Sequence, residues 1–263
     1  MGKKIGDVEV SDAGGFVSLV EIQRGPNNFF DEDLIRTLAD VFLDLDEDDN
    51  CRAVVLAAEG KHFCAGANFG AGSNRDRRTS RSAQQGNPLY QEAVRMFKNK
   101  KYVVAAVQGA AVGGGFGLSM FADFRVGCEQ SRFTANFVKI GFTPGFGLTQ
   151  VLPRVIGQQA ANDLFATGRR VDGEEALRLG IIDRLVPQSE VREAAIEYAQ
   201  EIAENAPLAL LSVRASMRGD LSDIVQAATD HEGVEQAKLQ KTEDYREGVK
   251  AVAERRPGNF QSK

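Results

Sequence analysis

Hydrophobic and polar positions alternate between two periods along this chain. Residues 8–10 and 16–22 are β-prone, and SDAGG between them supplies turn residues, which predicts a hairpin. After PNNFFDED the apolar positions Leu34, Ile35, Leu38, Val41, Phe42 and Leu45 take helical spacing, with Asp31 placed to cap the first turn. AVVLAA at 53–58 reads as a buried strand that runs through EGKHF into CAGAN. Residues 70–88 are polar and aperiodic, a pattern that predicts a lid or an unstructured loop. A helix over 89–100, the strand VVAAV, a glycine turn with a further helix, and the strand FRVG at 124–127 follow. This alternation favours a wound α/β core. Beyond residue 187 the pattern is helical throughout, over 191–204, 207–217 and 221–254. The chain therefore divides into a core over 1–187 and a helical region over 188–263.

Residues 102–122 carry no charge, which meets the length rule for a transmembrane helix. Gln108 and five glycines interrupt the run, so it is expected to be a strand and a helix buried in an α/β core rather than a membrane span. The formal charge of −5 argues against general nucleic-acid binding. Cys51, Cys64 and Cys128 are odd in number and lack metal-ligand spacing, which suits reduced thiols in a cytoplasm. MGKKIGDVEV lacks the apolar run of a signal peptide.

Familiar catalytic motifs are missing. Neither register around Gly113–Gly117 gives G-x-G-x-x-G, and there is no G-K-[ST] phosphate loop or G-x-S-x-G elbow. His62 and His231 stand far apart without carboxylates at ligand spacing, so neither a metal site nor a Ser-His-Asp triad is expected. What remains is a pair of small-residue turns, CAGAN and GAAVGGG, each following a buried strand. Such turns let a ligand approach backbone N–H groups, and a helix beginning at Gly114 would add positive potential. They serve equally well for tight turning and close packing alone.

HFCAGAN, VVAAVQGAAVGGG, FADFRV, RFTANFVKIGFTPGFGLTQVLPRVIG and TEDYREGVKAVAERRPGNF, in this order and spacing, resemble the crotonase (enoyl-CoA hydratase/isomerase) superfamily over nearly the whole chain. The resemblance implies a spiral of ββα turns followed by helices that assemble trimers or dimers of trimers. It implies a coenzyme A thioester as ligand, with no covalently bound cofactor. The acyl carbonyl would be held by the backbone N–H groups of Ala67 and Gly114, an oxyanion hole for the enolate. Ala65, Gly66, Asn68, Phe69, Phe116, Gly117, Asn136, Phe137 and Thr143 map to the substrate site.

The acids of the family pattern do not map. The two hydratase glutamate positions hold Gly117 and Phe137, and the aspartate that some isomerases place after a proline is Gly145. A positioned acid or base contributes roughly 10²- to 10⁴-fold, so simple hydration of a 2-enoyl-CoA is not expected. Isomerase, lyase or C–C hydrolase chemistry through an enolate is preferred; the alternative is a non-catalytic acyl-CoA-binding protein. Tyr90 is the candidate to act on the acyl group, or else anchors a helix start. Asn136 and Thr143 are polar but are not bases, Asp123 suits a backbone contact, and Glu232 and Glu235 read as solvated or intersubunit charges. Phe116, Phe133, Phe137, Phe142 and Phe146 suit a bulky acyl group or plain core. Arg75, Arg77, Arg78 and Arg81 suit either the coenzyme's phosphates or solvent.

Overall fold

In a computed structural model of the chain, residues 2–67 and 87–263 are described. A strand the sequence did not predict, β1 (Lys3–Ile5), pairs antiparallel with β2 (Val8–Asp12), and β2 forms the expected hairpin with β3 (Val17–Ile22). From β3 the large sheet continues in parallel through β4 (Ala53–Ala58), β5 (Tyr102–Val107), β7 (Phe124–Gly127) and β10 (Arg184–Leu185). A second sheet joins β6 (Ala110–Val112), β8 (Arg132–Thr134) and β9 (Arg170–Asp172) in that order. The chain thus sends one strand to each sheet in turn, β5 then β6, β7 then β8. That is the spiral the family resemblance implies.

Strand alternation explains the layers. Val54, Leu56, Val103, Ala105 and Val107 face a core shared with α1 (Glu32–Asp46), α2 (Pro88–Phe97) and α3 (Gly114–Phe121). Their neighbours Val55, Ala57, Val104 and Ala106 face the other way, against Ala195, Ala199 and Ala203 of α7 (Val191–Ala203). Strands buried on both faces read as continuous apolar runs, which is why AVVLAA and VVAAV carry no polar positions. Asp31 caps α1 by accepting from the Leu34 amide at 3.0 Å. The uncharged run 102–122 divides into β5, β6 and α3. Among the described residues, no helix is long and apolar enough to cross a membrane.

Between β8 and β10 lie a 3₁₀ turn (Asn136–Ile140), α4 (Leu148–Ile156), α5 (Gln158–Thr167) and α6 (Gly173–Leu179). Past α7 come α8 (Pro207–Arg218), α9 (Leu221–Leu239) and α10 (Glu243–Ala253). The expected single helix over 221–254 is two. Thr242 stops the first by accepting from the Tyr245 amide at 3.0 Å, which starts a new helix. Although helical, α7 is part of the core layer on the large sheet, on the far side in sequence of residue 187.

Candidate functional site

The two small-residue turns lie side by side because Cys64 is stitched to β6. Its amide donates to the Ala110 carbonyl at 2.9 Å, and its own carbonyl accepts from Val112 at 3.0 Å. Gly66 closes the first turn at φ +83°, where a Cβ would lie 2.5 Å from the Val112 carbonyl oxygen and 3.8 Å from the Gly114 nitrogen. Only glycine fits both the sign of φ and that approach. At Gly114 a Cβ would lie 2.2 Å from the Phe30 ring. Gly114 opens α3, so its N–H has no partner within the helix. Among the described residues, neither the Ala67 nor the Gly114 amide donates to an acceptor.

Both positions line one cavity of about 450 Å³. Ala65, Gly66, Tyr90, Asn136 and Phe137, all expected at the site, line it too. Asn68, Phe69 and the four loop arginines lie outside the described residues. The remaining expected residues are placed elsewhere. Phe116 is fully buried and packs on Phe133 with ring centroids 5.3 Å apart. Gly117 is buried under Phe146, and Thr143 is not among the residues that line the cavity; its carbonyl accepts from Gln236, which does line it. Phe137, Phe142 and Phe146 do line the cavity, joined by Phe29 and Phe30 from the segment before α1, which the sequence did not single out. Tyr90 carries the one titratable side chain among the described lining residues. Its hydroxyl donates to Gln236 Oε1 at 2.7 Å.

The vacant acid positions have physical occupants. A Cβ at Gly117 would stand 2.8 Å from Phe146 Cβ, so the phenylalanine fills the space a longer side chain would need. At Gly145 a Cβ would lie 2.0 Å from the Tyr90 hydroxyl and 2.7 Å from Gln236 Nε2. Phe137 is itself buried. Asp123 keeps its backbone contact, accepting from Val103 at 2.9 Å, and adds ion pairs to Arg214 and Arg218.

Glu232 corrects the expectation of a solvated charge. It is 3% exposed and accepts from the Gly147 amide at 3.0 Å and Thr149 Oγ1 at 2.7 Å, at the start of α4. Glu235, by contrast, is paired with Lys238 at the surface. A sequence signal for Glu232 and Gln236 did exist. Val225, Thr229, Glu232 and Gln236 are the buried residues of α9 and fall on one stripe, disguised because three of the four are polar. Burial pushes the Glu232 carboxyl up to about 7, against the lowering by Thr149 and Gly147. A carboxyl raised on folding binds more protons in the native state, so stability falls as pH rises from about 4.5 through 7, by about 3 kcal/mol. Glu232→Gln can still accept from Gly147 while donating to Thr149. A melting-temperature series over that range should therefore slope downward for the native chain relative to the variant.

Strand-to-sheet alternation and a helix N-terminus opening on an apolar cavity define a ββα-spiral protein. The enoyl-CoA hydratase/isomerase family model matches residues 12–263. The short-chain-enoyl-CoA hydratase of Clostridium acetobutylicum is 34% identical over 246 residues, 92% of this chain and 93% of that protein. The carnitinyl-CoA dehydratase of Salmonella typhi is 32% identical, over 90% of this chain and 92% of its own. A solved enoyl-CoA hydratase/isomerase from Pseudoalteromonas atlantica T6c superposes with a TM-score of 0.84 at 28% identity, covering 97% of this chain and 100% of that one. The chain belongs to the enoyl-CoA hydratase/isomerase family.

Proposed function

We propose that the protein binds a coenzyme A thioester in this cavity and acts on it through the enolate. The thioester oxygen would accept from the Ala67 and Gly114 N–H groups while charge moves onto it from C2. The observation that carries this reading is that two amides on separate turns line one cavity with no acceptor among the described residues. One donor of this kind is worth roughly 3 kcal/mol in the transition state, and the α3 N-terminus adds to it. Family membership and the coenzyme A named in both relatives support the ligand class.

Addition of water to a 2-enoyl group needs one group to activate water and another to protonate carbon. Tyr90 is the one titratable group among the described lining residues, and its proton is given to Gln236. Isomerisation, C–C cleavage or C–C hydrolysis, in which the substrate supplies part of the proton traffic, suits this site better than simple hydration. The same scarcity of ionisable groups favours a second reading, a non-catalytic acyl-CoA-binding protein. Exposed Leu208, Val213 and Met217 on α8 and Val234 on α9 support self-association as trimers or dimers of trimers, and a cytoplasmic setting fits the free cysteines.

Deuterium exchange tests the reading. In heavy water, C2 of saturated acyl-CoA thioesters should take up deuterium above the uncatalysed rate, with deuteroxide taking the C2 proton and solvent returning a deuteron while the two amides hold the enolate oxygen. Crotonyl-CoA should be hydrated at least about 10²-fold more slowly than by the Clostridium relative assayed alongside. Tight binding without exchange across varied acyl chains would establish the binding role instead, and hydration matching the relative would contradict the account.

A further inference from the structure

Asn28 is fully buried and takes φ +48°, a left-handed conformation that glycine and asparagine tolerate best. Its Nδ2 donates to the Glu59 carbonyl at 2.9 Å and the His62 carbonyl at 2.7 Å, while its Oδ1 accepts from the Arg24 amide at 3.1 Å. Carbonyls only accept, so these partners fix which end of the carboxamide carries the protons. Gln108, just past β5, holds the same turn from another side, donating to the carbonyls of Ala58 at 2.9 Å and Gly60 at 3.1 Å. Between β3 and α1 the chain has no helix or strand of its own, so the Asn28 side chain supplies the anchoring that a strand ladder would give.

The anchored segment leads directly to the Ala67 amide. On one side of Asn28 the Asn27 carbonyl accepts from the Ala65 amide at 3.0 Å; on the other the Phe30 amide donates to the Gly66 carbonyl at 3.0 Å. Residues 27–30 thus run beside 65–67 and close with a Phe30–Ala67 bridge. In a trans peptide the C=O and N–H of one unit point in opposite directions. The Gly66 carbonyl faces the Phe30 amide, so the Ala67 N–H faces away from it. Turning that N–H would break the Phe30 bond. The Phe30 ring also stands against Gly114, where a Cβ would come within 2.2 Å of it, so this one segment touches both turns of the site.

Resting on the coenzyme A thioester reading, we infer that Asn28 is a positioning residue for the oxyanion hole. Its carboxamide ties residues 27–30 to the 59–62 turn and thereby aims the Ala67 N–H at the thioester oxygen. Asn28 itself touches no reacting atom; it acts through the Phe30 amide and the Gly66–Ala67 peptide.

The test is Asn28→Gly, which keeps the positive φ and removes the carboxamide. Bound hexanoyl-CoA, labelled with ¹³C at the thioester carbonyl, should lose part of the downward shift of its carbonyl stretch. Deuterium exchange at its C2 should slow by about tenfold or more. A loss of stability that leaves the folded site intact moves neither readout. With lactic acid in place of Ala67 the amide is already gone, and adding Asn28→Gly should then change exchange by less than about twofold. 3-Phenyllactic acid in place of Phe30 keeps the Asn28 side chain and removes the last bond of the path, so it should give the same two losses whether or not Asn28→Gly folds. An unchanged carbonyl shift and exchange rate in either variant, or a loss that persists undiminished without the Ala67 amide, would overturn this inference while leaving the thioester site standing. Native protein that fails to bind hexanoyl-CoA would remove the thioester reading and the inference with it.

Discussion

Replacing the Gly114 amide by an ester, with glycolic acid in place of the glycine, is expected to slow deuterium exchange at C2 of a bound acyl-CoA by roughly 10²- to 10³-fold. Lactic acid at position 67 should act in the same way. The exchange removes the donor and leaves the shape untouched. Gly114→Ala cannot serve, because its Cβ would strike the Phe30 ring at 2.2 Å. Neither amide donates to an acceptor among the described residues, so the esters should cost only the weakening of the Gly113 carbonyl, which accepts from Phe116 and Gly117, and of the Gly66 carbonyl, which accepts from Phe30. The rate loss should accordingly appear without a matching fall in melting temperature. An ester at either position that leaves exchange intact would show that the amide does no work on the carbonyl.

The largest effect on stability is expected at Asp123. Burial alone would push its carboxyl up, but the Arg218 and Arg214 charges and the Val103 amide hold it below the usual range. Arg214 is 2% exposed; it pairs with Asp123 at 2.9 Å and also donates to the Asn99 carbonyl at 2.5 Å and side chain at 2.8 Å. Asp123→Ala strands buried guanidinium charge and should cost about 3–5 kcal/mol, as should Arg214→Ala, which strands the carboxylate. In a denaturant-melting cycle the double variant should lose clearly less than the sum of the two. Because the folded carboxyl is lowered, its contribution is present above about pH 4 and is lost as pH falls further. The network also bears on the site. Arg218 donates to the Phe121 carbonyl and Arg125 to that of Ala122, each at 2.7 Å, so two cations hold the C-terminal end of the helix whose first residue is Gly114.

Much of this arrangement was legible in the residues. The hairpin, α1 with its Asp31 cap, and strands β4, β5 and β7 follow from periodicity and turn chemistry, because each buries a face defined within its own segment. The small sheet did not. Its strands have three residues each, too few for a period to show, and they pair across long stretches of chain. The helices between β8 and β10 were hidden for a related reason: glycines at 157, 168 and 180 divide them into short pieces. The break in the last helix rests on the single Thr242 cap. At the site, the glycine turns were visible as a pattern, whereas the Tyr90–Gln236 pair joins residues 146 positions apart and one of them is a glutamine on a largely polar helix. Burial of polar side chains such as Glu232 depends on what the tertiary fold packs over them, which sequence periodicity encodes weakly.

Isotope-edited infrared spectroscopy of hexanoyl-CoA labelled with ¹³C at the thioester carbonyl reads the two amides without any need for turnover. On binding, the carbonyl stretch should fall below its value in water, and part of that fall should be recovered with glycolic acid at position 114. A bound carbonyl vibrating at or above its frequency in water would mean that the amides of Ala67 and Gly114 do not meet on the thioester oxygen.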